Sequence, residues 1–122
     1  MLAAFLDAGG GLFVTGTEIA WDLGAKGSAE DQAFLKDYLK ASYATDDSGT
    51  YQIQPVAGGI YEGVAPFAFD DGTHGSYNAA FPDTLTVQGS LKSLQYAGGA
   101  IAGVAYAGAF KAVYFGFPFE TI

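Results

Sequence analysis

The sequence predicts an α/β fold: a mixed sheet with one main helix on a face. Three observations carry that expectation. Met1–Ala8 has the apolar spacing of a short helix and runs through Gly9-Gly10-Gly11 into the apolar strand Leu12-Phe13-Val14. Near the other end, Ala100–Tyr106 and Phe110–Phe117 are apolar at nearly every position. Strands apolar on both faces belong in the middle of a covered sheet. Between these ends lies one well-signalled helix.

That helix is expected over about 29–43. Ser28 is a good N-cap, and Asp31 three residues on completes an acidic capping box. Glu30 and Asp31 sit at the positive end of the dipole, with Lys36 and Lys40 toward the negative end. Phe34, Leu35, Tyr38, Leu39 and Tyr43 recur at helical spacing and define one apolar face. The polar run Thr45-Asp46-Asp47-Ser48-Gly49 closes it.

From about 50 to 96 the pattern becomes a β-rich insertion. Short apolar pieces alternate with Gly, Asp, Pro and Asn: Tyr51–Ile53, Gly59–Tyr61, Phe67–Phe69, Leu85–Val87 and Leu94–Tyr96. They read as short, mostly antiparallel strands. Asp70-Asp71-Gly72 and Tyr77-Asn78 are turn signals. The two terminal apolar runs form a hairpin about Ala107-Gly108-Ala109. Leu12–Val14 and Val113–Phe115 are expected as neighbours in one sheet, with the helix over them.

Composition bounds function. The 122 residues form at most one domain with one core. Thirteen carboxylates face five lysines and no arginine, for a net charge of −8. This balance argues against nucleic acid and anionic membrane surfaces as partners. The absence of arginine removes the usual bidentate clamp for phosphates and carboxylates. The absence of cysteine excludes disulfides, thiolate catalysis and Cys-type zinc sites. No signal peptide is visible, because Met1-Leu2 lacks a charged leader region. Residues 100–119 are apolar, but Gly103, Gly108, Lys111, Gly116 and Pro118 interrupt them, so a hairpin fits better than a membrane span.

Several stretches together resemble a known family: Phe5-Leu6-Asp7-Ala8-Gly9-Gly10, Leu12–Leu23, Asp37–Ala41 with Asp46-Asp47, Asp70–Asn78, Pro82-Asp83 and Phe115–Ile122. The pattern resembles the later half of a class I glutamine amidotransferase-like domain of the kind embedded in large secreted bacterial multidomain proteins. The resemblance implies a partial flavodoxin-like three-layer sandwich, a fragment of a larger domain, and a secreted, carbohydrate-related parent. It also implies a nucleophile elbow after a central strand. The matching turn here, Thr15-Gly16-Thr17-Glu18, carries no cysteine, so glutaminase chemistry is excluded by composition. A fragment of this kind leaves sheet edges and a face open, and pairing with a second copy or exchange of a terminal strand is the expected remedy.

The candidate chemistry is sparse. His74, the single histidine, with Asp71 or Asp70 behind it and Thr17 or Ser76 as nucleophile, is a candidate hydrolytic set, although the spacing fits no triad template. Glu18 and Glu120 each follow an apolar strand, where open α/β sheets place ligands. Glu18 with His74 and Asp70 or Asp71 is thus a candidate ester or glycoside hydrolase site. Trp21 and Tyr77 are candidate carbohydrate-stacking groups, and Glu120 is a further candidate ligand-binding residue. Calcium is the one cofactor considered, at Asp70-Asp71 or Asp46-Asp47-Ser48, neither with EF-hand spacing. The leading reading is a non-catalytic structural or interaction module, with hydrolase and carbohydrate-binding module as alternatives.

Overall fold

The computed structural model describes residues 1–122. The chain is mixed α/β, with two short helices and a curled eight-stranded sheet. Helix α1 spans Leu2–Asp7, strand β1 Gly11–Thr15, and helix α2 Ala29–Asp37. Strands follow at β2 Ala41–Thr45, β3 Gln52–Pro55, β4 Phe67–Ala68, β5 Thr84–Val87, β6 Leu91–Tyr96, β7 Ile101–Ala107 and β8 Lys111–Phe115. A π-helical turn covers Trp21–Ala25 and a 3₁₀ turn Phe119–Thr121. No helix is long and apolar enough to cross a membrane.

The sheet order is β1-β8-β7-β6-β3-β4, with β5 joined to β7 at Ile101 and β2 joined to β5. The expected meeting of the terminal strands is realised. β1 lies parallel to β8, Gly11 beside Lys111 and Thr15 beside Phe115. β7 and β8 form the expected antiparallel hairpin, Gly103 beside Phe115 and Ala107 beside Lys111.

Alternation along β1 and β8 divides the core between the two sheet faces. Leu12, Val14 and Tyr114 point to the side where α2 delivers Leu35 and Leu39, joined by Ala20, Leu85 and Val104. On the opposite side Phe115 and Phe117 stack at 5.1 Å, with Ile53, Phe69, Leu94 and Tyr96 around them. A smaller cluster of Leu6, Phe110 and Ala112 fastens α1.

Three expectations need correction. The helix does not reach 43. The Ser28 capping box forms as expected, but α2 ends at Asp37, and Tyr43 lies in β2. Lys40 breaks the helix with φ +59, in the left-handed region. Its carbonyl accepts from Gln88 N and Ser90 Oγ, while its ammonium sits 4.5 Å from the Tyr106 ring centre. Leu39 and Tyr43 fit strand alternation as well as helical spacing, and pairing of Ala41 and Tyr43 with β5 decides the matter. The second correction concerns Gly59–Tyr61, which is a chain of turns: Gly59 N donates to Val56 O and Glu62 N to Gly59 O. Third, the 50–96 segment is not an insertion beside the sheet. Its strands β3 and β6 extend the main path through Leu94 and Tyr96, and β5 bridges β2 to β7.

Phe117 is buried, whereas Phe13 on β1 is 50% exposed. Phe117→Ala is expected to cost about 3–5 kcal/mol and Phe13→Ala less than about half of that, as urea unfolding will measure.

Candidate functional site

The loop between β4 and β5 holds the only cluster of potential metal ligands, Asp70, Asp71 and His74. Asp70 is buried and organises that loop. Its Oδ1 accepts from the Gly72 and His74 N–H groups at 2.7 and 3.0 Å, and its Oδ2 from Ser76 N–H at 2.6 Å. Burial alone raises the carboxyl, but the N–H groups of Ser76, His74 and Gly72 outweigh it and hold the group below its ordinary value. Asp71 is exposed. The Thr73 hydroxyl and N–H hold its carboxyl low, and a smaller part comes from His74.

His74 Nδ1 stands 3.3 Å from Asp71 Oδ1 and 3.6 Å from Asp70 Oδ1. The two carboxylates therefore converge on His74. The cause is the turn: Gly72 and Gly75 at positive φ fold the chain back so that Asp71 bridges to Asn78. With Asp70's oxygens engaged by three backbone N–H groups, the cluster has the bonding of a self-capped turn. Asp47 likewise caps a turn through Gly49 N–H.

The proposed catalytic partners are not brought together. Thr17 and Glu18 occupy the expected turn at the carboxyl end of β1, before the helical segment that starts at Ile19. No hydrogen bond or ion pair links either of them to His74, Asp70 or Asp71. Glu120 lies beyond β8 as expected and accepts from the Tyr77 hydroxyl at 2.7 Å. That bond holds Glu120's carboxyl low and pushes Tyr77's hydroxyl up. Of the carbohydrate candidates, only Tyr77 and Glu120 meet. Trp21 lies apart, with the Lys26 ammonium 4.6 Å from its ring centre. Helical structure at Trp21–Ala25 was missed from sequence, although Ile19 and Leu23 sit four apart and Asp22 N–H reaches Glu18 O.

Two further features were not anticipated. The first is Asp83, fully buried at the start of β5. Its N–H lies against both Thr17 O and Gly116 O, at 2.9 and 3.1 Å, and its carbonyl accepts from Tyr96 Oη at 2.8 Å. Oδ2 accepts from Trp21 N–H at 2.9 Å; Oδ1 has no partner, nor has the buried Tyr114 hydroxyl. Burial raises the Asp83 carboxyl to about 7, against the lowering effect of the Trp21 and Ala20 N–H groups, with Asp46 and Glu18 adding repulsion. No lysine pairs with it.

The second is an apolar groove of about 410 Å³ on the sheet face away from α2. All nine lining side chains are hydrophobic, among them Phe13, Tyr61, Phe67, Val113, Phe115 and Phe119. Phe13 meets Phe115 and Phe119 edge-on at 5.1 and 5.6 Å. With the Tyr61 hydroxyl as the one polar group among its lining side chains, the groove can desolvate apolar surface but offers no acid–base pair to a reacting atom.

No family model, curated protein or solved structure matches the chain.

Two predictions follow from these groups. Asp70→Ala removes the buried carboxylate that three loop N–H groups share as acceptor and is expected to cost about 1–3 kcal/mol in urea unfolding. For Asp83 the folded value of about 7 exceeds the ordinary 3.8, so the proton is bound more tightly in the folded chain. Its contribution is full below 3.8 and is lost as pH rises through about 7. Urea midpoints should therefore fall between about pH 4 and about pH 7, and Asp83→Asn should flatten that slope.

Proposed function

We propose that this chain is a non-catalytic interaction module that works by presenting its apolar groove. The observation that carries the reading is an all-hydrophobic recess open beside β1 and edged by the exposed rings of Phe13 and Phe119. An exposed apolar surface of this extent is costly in water and is the ordinary mark of a binding face. The hydrolytic reading is weaker, because neither expected nucleophile, Thr17 or Ser76, bonds to His74 through its side chain; the hydroxyl that does is that of Thr73, 3.1 Å from Nδ1 and also bonded to Asp71.

This reading keeps the cysteine-free amidotransferase-like domain, with its flavodoxin-like three-layer architecture, as the proposed ancestry, and a secreted carbohydrate-related protein as the proposed parent. Carbohydrate is the second reading of the ligand, favoured by exposed Tyr77 hydrogen-bonded to Glu120. A sugar ring stacking there needs no calcium, and none is proposed.

The test combines two measurements. The chain should leave a panel of ester and glycoside chromogens unhydrolysed while taking up the apolar dye ANS, with uptake reduced at least about fivefold by Phe13→Ser. Turnover abolished by His74→Ala would replace this reading with the hydrolase. Retention on immobilised polysaccharide, lost in Tyr77→Ala, would replace it with the carbohydrate reading.

A further inference from the structure

We propose that β1 pairs antiparallel with β1 of a second copy of this chain, across a two-fold axis at Phe13, so that the two sheets become continuous. The inference rests on the interaction-module reading and names its partner.

The sheet has three free edges, and two of them are blunted. β4 is two residues long and follows Pro66. β2 carries a register shift between Tyr43 and Thr45. β1 has neither device: five residues, Gly11-Leu12-Phe13-Val14-Thr15, without charge, proline or bulge. A flat uncharged edge is a template for another strand.

The hydrogen-bond phase suits a copy of itself. Lys111 N donates to Gly10 O and Gly16 N to Phe115 O, which sets the parallel ladder. By alternation Leu12 and Val14 turn their backbone groups to β8, while Gly11, Phe13 and Thr15 turn theirs to the free edge. An antiparallel mate centred on Phe13 exchanges both bonds between the two Phe13 residues. It also sets each Gly11 against the other copy's Thr15. All outward groups of the strand are then used.

Charge complementarity argues for the same partner. Lys111 stands beside Gly11 at one end of β1 and makes no ion pair within the chain. At the other end lie Glu18, in the turn after Thr15, and Glu120, whose 3₁₀ turn is tied to the strand by Phe119 N–H on Thr15 Oγ1. Antiparallel pairing brings the lysine end of each copy to the carboxylate end of the other, twice by symmetry. Pairing also extends the groove wall. Phe13, Phe119 and Ile122, half-exposed in one copy, gain apolar neighbours from the other.

The experiment is sedimentation velocity at about 50 µM protein and about 0.15 M salt, an ionic strength that screens the net charge of each copy. A dimer is expected. Gly11→Pro removes an outward N–H at a position where a side chain meets open space, and should give a monomer with an unchanged unfolding midpoint. Lys111→Glu and Glu120→Lys should each weaken association about tenfold, and the double exchange should restore it. A dimer indifferent to all four variants overturns the proposal. So does a monomer that still takes up ANS through Phe13, which leaves the groove for a different partner and the interaction reading intact. A monomer without dye uptake overturns both.

Discussion

A buried aspartate with no cation beside it ties together, through its backbone and its carboxyl, the parts of this fold that sequence places furthest apart. Asp83 meets the turn after β1 through Thr17, the end of β8 through Gly116, the last residue of β6 through Tyr96, and the first turn of the helical segment through Trp21. Three of these contacts fix segments outside the strands, and the fourth joins them to β6 at Tyr96, which pairs with Ile53. The arrangement has a cost, because one carboxyl oxygen and the Tyr114 hydroxyl are sealed in without partners. That setting strengthens the carboxyl's hold on its proton, and the acids around it, Asp46 and Glu18, push the same way.

Around this junction the two sheet faces have different fates. One is closed by α2 with Leu35 and Leu39 against Tyr114 and Val104. The other is closed only in part, where β3, β4 and the segment after β3 curl over Phe115 and Phe117. The curl stops short of Phe13 and Val113, and the groove is what remains. The same aromatic stack thus serves as core at Phe117 and as recess wall at Phe115 and Phe13. This explains how a chain so rich in Phe and Tyr can be stably folded and still present apolar surface.

Much of the frame was legible in the residues. Strands apolar at every position signalled the centre of a sheet, and β8 and β7 lie there, each flanked on both sides. The Ser28–Asp31 capping box marked the start of α2 to the residue. Its end was not legible. Leu39 and Tyr43 satisfy two periodicities at once, and the choice between them is made by β5 and by the Lys40 carbonyl's bonds to Gln88 and Ser90, more than forty residues away. The site was legible in smaller part. The turn at Asp70–Gly75 could be read from its Asp and Gly residues. The burial of Asp83 could not, since Pro-Asp reads as a surface turn. The groove escaped for a similar reason: it is made from β1, β4, β8 and the loop around Tyr61, and no local pattern joins them.

The single indole of the chain has a consequence of its own. Trp21 contributes the N–H that holds Asp83, and its ring lies under the Lys26 ammonium. Its fluorescence therefore arises at the junction rather than in a remote part of the core. Any event that loosens the fastening of the turn to β5 will change the emission there, without an attached label and without competing signal from a second tryptophan.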